Sequence, residues 1–269
     1  MKRALLFWFY RDVGVCAERL RDLAELHPET PIYGLYGGPE EDASTFERAL
    51  APWLADLYVA TRQPDPYLKW LQGDLEIVEW FEERGHALPW SSVAVVQWDL
   101  LVRAPFDRIV PGLEPTHLYF SGLRRLDPAL ELRWCWTAHG AHRLSYHRFR
   151  EQTARRFGVR DPPWCCLFIF AILTRPFLTA YAREARRFAG FLEYKLPTLA
   201  LLLGFPCLIR DLGVHWDPVE PPTPKPLRAI PPPLPRGYIE AELSRPDGYR
   251  LFHPVPDPWG PRGALSPPP

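Results

Sequence analysis

The chain has 269 residues, 47% of them hydrophobic, and its 32 Lys+Arg are balanced by 32 Asp+Glu. That content builds a substantial core, as one large domain or one domain with an appendage, and excludes a disordered chain. A net charge of zero supplies no overall basic field to draw nucleic acid or an anionic membrane.

Five cysteines, odd in number and without a C-x-x-C pair, suit reduced thiols in a cytoplasmic protein better than a disulfide framework or a zinc site. Residues 4–10 read as a first strand, because the apolar run after Met1-Lys2-Arg3 is short and meets Arg11-Asp12 without the cleavage site of a signal peptide. An amphipathic helix follows over 15–26 and a second strand over 31–36, ended by Gly37-Gly38-Pro39. Residues 57–60 form a short third strand. Pro64 and Pro66 lead into one helix over 67–84, with Leu71, Leu75, Val78 and Phe81 as its apolar stripe. Lys69 and Asp74, near its start, read either as a solvated, paired face or as a phosphate contact. Residues 93–96 are a β-branched run of the kind buried on both faces at the centre of a parallel sheet, and it ends in Gln97-Trp98-Asp99. Ligands bind beyond such strand ends in open α/β sheets, which puts Asp99 where chemistry is often found.

Further along, 116–120 is a short strand closed by Ser121-Gly122, with Arg124 beyond it. Trp134 and Trp136, two apart in a strand over 133–137, share one face as a core layer or a sugar platform. A basic helix over 145–157 and a buried run over 165–173 come next, the latter far below the roughly 20 residues that span a bilayer. An Arg-rich amphipathic helix occupies 176–188. The stretch 190–197 breaks this pattern before an apolar helix over 198–204, and delivers Glu193 and Lys195 beside a glycine turn. A carboxylate there is either a base with a raised pKa or the partner of Lys195. About half of the 33 prolines lie beyond 217, so the domain is placed at 1–216 and an extended, polyproline-rich tail at 217–269. The apolar island at 249–254 is expected to pack back on the domain.

A Rossmann-like start, a Trp-Asp closing a central strand, a Gly-Phe-Leu-Glu element and a late Phe-His-Pro, in that order, resemble the glycosyltransferases of the GT-A fold. The resemblance implies an α/β architecture, a Rossmann-like mixed sheet with helices on both faces, and transfer of a sugar from a UDP- or GDP-sugar to a hydroxyl of a glycan, lipid or small molecule. It implies a Mn2+ or Mg2+ ion held by Asp99 and His253 and a catalytic base at Glu193. Arg11, Asp12, Lys69, Asp74, Gln97 and Trp98 take nucleotide-side positions, and Arg124, Trp134, Trp136, Tyr194 and Lys195 take acceptor or sugar positions. The family's D-x-D tripeptide is here Gln97-Trp98-Asp99, which keeps only the last acid. A neutral Gln97 adds no charge to a cation site, so a catalytically inactive nucleotide- or glycan-binding protein of the same fold is the alternative. A nucleotidyltransferase and a dinucleotide-dependent dehydrogenase are disfavoured, because no glycine-rich phosphate loop follows the first strand.

Overall fold

The computed structural model describes residues 2–216, 224–229 and 232–260. Its strands and helices alternate as β1 (Arg3–Phe9), α1 (Val13–Leu26), β2 (Ile32–Tyr36), α2 (Ala43–Leu50), β3 (Asp56–Val59), α3 (Pro66–Leu71), α4 (Gly73–Glu83), β4 (Ser92–Gln97) and β5 (Leu118–Phe120). Then come α5 (Pro128–Arg133), α6 (Cys135–Ala138), α7 (Gly140–Phe157), β6 (Phe170–Thr174), α8 (Arg175–Glu184), α9 (Leu192–Leu202), β7 (Cys207–Leu208) and α10 (Arg236–Ser244). The seven strands form one sheet in the order β7-β5-β6-β4-β1-β2-β3. Strands β3, β2, β1 and β4 are mutually parallel, β7 is parallel to β5, and β6 runs antiparallel between β4 and β5.

Every residue of β1 after Arg3 is buried, because both sheet faces are covered. Successive side chains of a strand point to opposite faces. Ala4, Leu6 and Trp8 accordingly enter one apolar core with Ile77, Val78 and Trp80 of α4. Leu5, Phe7 and Phe9 enter the other with Val15, Leu20 and Leu23 of α1. The sheet is thus mixed, with helices on both faces.

Four local expectations differ from what forms. Strand β4 is central, but its neighbours are parallel β1 and antiparallel β6, so the sheet around it is not all parallel. The single helix expected over 67–84 is two helices that break at Gln72, whose φ of −115° lies outside the helical region. Asp65 caps the first, accepting from the amides of Tyr67 and Leu68. Gly73 opens the second directly against the Trp8 indole, where any Cβ would come within 2.3 Å of the ring. Trp134 and Trp136 do not sit on a strand. Asp127-Pro128 forms a helix start, with Asp127 Oδ1 accepting from the Leu130 amide at 2.8 Å, and this local cap overrides the alternation read across 133–137.

The fourth concerns α9, which runs through Pro197 rather than beginning after it. Proline removes the donor that would bond the carbonyl four residues back, here Glu193. The Cys166 amide donates to that carbonyl instead, at 2.9 Å, so the helix continues with its acceptor satisfied.

Residues 217–223, 230–231 and 261–269 of the expected proline-rich tail lie outside the described residues. The described part is not uniformly extended. It includes α10, and Leu251–Phe252 pairs antiparallel with Leu101–Val102 just beyond β4. Leu234, Ile239, Phe252 and Val255 form a small apolar cluster with Leu101. Among the described residues no helix is long and apolar enough to cross a membrane, and the five cysteines are free thiols.

Candidate functional site

A cleft of about 730 Å³ opens at the C-terminal ends of β1 and β4. Asp99, Glu193 and His253, far apart along the chain, all line it. A second cavity, of about 260 Å³, lies between Arg108, Asp211 and Arg250 and contains none of these residues.

Asp99 follows β4 in a tight turn. The Trp98 amide donates to the Trp8 carbonyl at 3.0 Å and the Leu100 amide to the Gln97 carbonyl at 3.1 Å, while the Asp99 carbonyl accepts from Val255 at 2.9 Å. That last bond ties the strand end to the segment carrying His253. His253 is held on both sides, its amide donating to Pro226 at 2.8 Å and its carbonyl accepting from Arg228 at 2.9 Å. Its ring Nδ1 lies 2.7 Å from the Arg228 carbonyl, which can only accept, so Nδ1 carries a proton and Nε2 faces Asp99 Oδ1 at 3.3 Å.

Burial opposes the Asp99 charge, but His253 and, more weakly, Arg11 outweigh it and hold the carboxyl below its ordinary range. For His253, burial favours the neutral ring, and the contact with Asp99 reverses this and raises the pKa. Arg11, exposed at the cleft wall, lies with its guanidinium carbon 4.9 Å from the Trp98 ring centre and 5.7 Å from that of Tyr10. Its charge is therefore fixed over aromatic faces at the end of β1.

Glu193 sits in the first turn of α9. Its Oε1 accepts from the Phe168 amide at 2.8 Å and its backbone carbonyl accepts from Cys166, so the segment 166–168 grips it at two points. Burial pushes its carboxyl up to about 8, opposed by the Phe168 amide and by the nearby His253. A carboxyl in that range exchanges its proton near neutral pH, as general acid–base chemistry requires.

Of the other residues singled out in the sequence, Arg11, Gln97, Trp134 and Trp136 line the cleft. The rest are placed elsewhere. Asp12 caps α1, its Oδ1 accepting from the Val15 amide at 3.0 Å. Lys69 is buried and donates to the carbonyls of Ala60 at 2.6 Å and Gly38 at 3.1 Å, so its ammonium holds the ends of two loops together. Asp74 and Lys195 are a buried ion pair at 2.7 Å, and the Tyr181 hydroxyl donates to the same Asp74 oxygen at 2.6 Å. Lys195 thus pairs with Asp74 and not with Glu193. Trp98 and Tyr194 are buried in the two cores. Arg124 pairs with Asp127 at 2.6 Å on a half-exposed surface.

The sequence reading missed most of the cleft's aromatic lining: Trp8, Tyr10, Tyr67, Trp70, Phe191 and Trp216. Trp8 and Tyr10 are two apart at the end of β1, and that spacing on a first strand was a usable signal. The Trp8 indole is fixed by its bond to Glu76 Oε2 at 2.8 Å. The others converge through tertiary packing that no local pattern announces.

The fit of a divalent cation is judged at Asp99 Oδ1, a buried carboxylate oxygen whose facing group is His253 Nε2 at 3.3 Å. No group of three His, Cys, Asp or Glu able to hold a metal is present among the described residues. The pair, with the neutral Gln97 beside it, therefore suits an ion whose remaining ligands are oxygens of a bound diphosphate or water, and not a closed protein cage.

No protein-family model matches the chain, and no curated protein matches it. Solved structures to which the chain is similar include the galactosyltransferase LgtC in complex with donor and acceptor sugar analogues, 12% identical over 78% of this chain and 74% of that one, at a TM-score of 0.42. Mouse xyloside xylosyltransferase 1, in its apo form, is 10% identical over 93% and 97% of the two chains at 0.41. The glycosyltransferase GlyE of Streptococcus pneumoniae is 13% identical over 78% and 45% at 0.36.

Proposed function

We propose that the chain transfers a sugar from a UDP- or GDP-sugar to an acceptor hydroxyl. The observation that carries this reading is the meeting of Asp99, His253 and Glu193 in one cleft beyond the ends of the parallel strands. Asp99 and His253 are the candidate cation ligands, with Gln97 beside them, and Arg11 is the candidate diphosphate contact. A divalent cation, Mn2+ or Mg2+, supplies neutralisation of the charge on the departing diphosphate when bound. The Arg228 carbonyl keeps a proton on His253 Nδ1, so Nε2 is the ring atom that would serve as a ligand, once a bound cation displaces the proton that the Asp99 contact favours there.

Glu193 is the proposed base. The acceptor oxygen forms its bond to the anomeric carbon while the bond from that carbon to the diphosphate breaks, its electron pair leaving on the phosphate oxygen. The acceptor proton passes to the Glu193 carboxylate. The Phe168 amide holds that carboxylate and the Cys166 amide holds the backbone carbonyl of the same residue, and a pKa near 8 makes the carboxylate basic enough to accept a proton. A single displacement of this kind inverts the anomeric configuration.

The test is consumption of a panel of UDP- and GDP-sugars with Mn2+ or Mg2+. The wild type is expected to turn over at least one donor, and Glu193→Gln to lower kcat by about 10²–10⁴-fold, the usual contribution of a general base. A kcat unchanged in Glu193→Gln removes the base from the mechanism. One observation favours a second reading, a nucleotide- or glycan-binding protein without turnover: Asp99 already has a partner in His253, and Gln97 brings no second negative charge. Thermal stabilisation by nucleotide sugars without any consumption of them supports that alternative.

A further inference from the structure

Apart from Arg133, the charged groups of the cleft come from the strand ends, the start of α9 and the segment after α10. Its other wall is aromatic. Tyr67, Trp70, Trp136, Phe191, Trp134 and Trp216 all line the cleft and touch in series. Successive ring centres are 6.0, 5.4, 4.0, 6.5 and 5.9 Å apart. The series meets the reactive end directly, because Phe191 is the N-cap of α9 and Glu193 lies in that helix's first turn.

Two features of this wall bear on what it holds. The rings do not present one flat platform. Trp136 stacks on Phe191 at 22°, Trp70 leans on both at 57° and 50°, and Trp134 stands at 73° to Phe191 and 84° to Trp216. Trp70, Trp136 and Trp216 line the cleft and are only partly buried among the described residues. A sugar ring is held by an open aromatic face together with hydrogen bonds to its hydroxyls. Tilted rings that surround a volume from several sides instead cover an apolar group, and the gain comes from apolar area removed from water. Arg133 and His215 are the polar residues that line the cleft from the same segments as the rings.

We infer that the acceptor carries an apolar aglycone, an alkyl or aryl group next to the reacting hydroxyl, and that the six-ring wall binds it. The inference deepens the sugar-transfer reading and rests on it for the word acceptor. Binding to the wall needs no donor and is measured separately. The probe is a series of n-alkyl glucosides from methyl to octyl, with phenyl glucoside as the aryl arm, kept below micelle concentrations and titrated into the full chain by calorimetry and tryptophan fluorescence.

Affinity is expected to rise about fourfold per methylene over the first several carbons, with a negative heat-capacity change. A steeper gain for phenyl than for an alkyl group of equal size assigns the aglycone as aryl, and the reverse assigns it as alkyl. Trp136→Ala is expected to flatten the slope while nucleotide diphosphate binding persists. An affinity that does not change along the series in the wild type overturns the inference without any variant, as does a slope that survives Trp136→Ala. Retained slope without nucleotide-sugar turnover removes the transfer reading and leaves the wall's ligand class standing. Turnover without slope does the opposite.

Discussion

His253 Nε2 lies 3.3 Å from Asp99 Oδ1, although 153 residues separate them along the chain, and both side chains are nearly buried at 9% and 11% exposure. The Val255 amide bonded to the Asp99 carbonyl fixes the same juxtaposition through the backbone. Removing His253 leaves the buried Asp99 charge without its partner, whereas removing Asp99 leaves a ring that burial drives to its neutral form. His253→Ala is expected to destabilise by about 3–5 kcal/mol, Asp99→Ala by less, and the double variant by clearly less than their sum. Additive losses in urea unfolding would show that the two do not act as a pair.

Glu193 gives a pH dependence of defined sign. Burial raises its folded pKa from 4.5 to about 8, so the folded protein binds the proton more tightly than the unfolded chain does. Its contribution to stability is present in full below about 4.5 and is lost as pH rises to about 8. Activity runs the other way, because only the ionised carboxylate accepts a proton, and is expected to climb through pH 8. Glu193→Gln is expected to lose the activity limb and to be less destabilised than the wild type between pH 5 and 8. A kcat profile flat over pH 6–9 in the wild type contradicts the assignment.

How far the sequence disclosed this arrangement depends on the range of the forces involved. Strands β1 to β4 were legible because each is an apolar run bounded by turn residues, and Asp99 was legible as the acid just past one of them. The antiparallel insertion of β6 beside β4 was not, since an apolar run does not encode strand direction. Trp134 and Trp136 were read on a strand from their two-residue spacing alone, and the Asp127-Pro128 cap that starts a helix there went unread. Lys69, Asp74 and Lys195 are charged residues whose sequence context suggests a surface or a ligand. Only tertiary packing shows that their partners are backbone carbonyls and one another.

The Asp74–Lys195 pair joins α4 to α9, and Tyr181 of α8 adds a third helix to the same oxygen. Lys195→Met leaves Asp74 charged in the core and is expected to cost about 3–5 kcal/mol. Adding Asp74→Asn is expected to recover part of that loss, because the buried charge is then gone. No recovery in the double variant, read from denaturant midpoints, would mean that lost packing and not the unpaired charge sets the cost.

Pro197 acts on Glu193 through the backbone. Without an N–H at 197, the Glu193 carbonyl accepts from Cys166, and the same segment's Phe168 amide holds the carboxylate. Pro197→Ala supplies a competing helical donor. It is expected to speed amide exchange at Cys166 and to lower kcat with little change in KM for the donor. Unchanged protection at Cys166 would sever this link.

Glu18 and Arg19 of α1 form a buried ion pair that also straps the C-terminal segment, Arg19 donating to the carbonyls of Val255 at 2.9 Å and Asp257 at 3.0 Å, and Glu18 accepting from the amides of Trp259 at 2.7 Å and Gly260 at 3.0 Å. The strap begins two residues after His253. Glu18→Ala is expected to expose residues 255–260 to limited proteolysis and to weaken Mn2+-dependent nucleotide binding. Wild-type resistance to proteolysis in this variant contradicts the expectation.

The most direct test of the central claim is calorimetric titration of UDP and GDP, with and without Mn2+, into the wild type and Asp99→Asn. If Asp99 and His253 hold a cation against a nucleotide diphosphate, Mn2+ tightens at least one nucleotide by about tenfold or more in the wild type, and Asp99→Asn loses that gain. Nucleotide binding that Mn2+ leaves unchanged in the wild type, or a Mn2+ gain retained in full by Asp99→Asn, contradicts it.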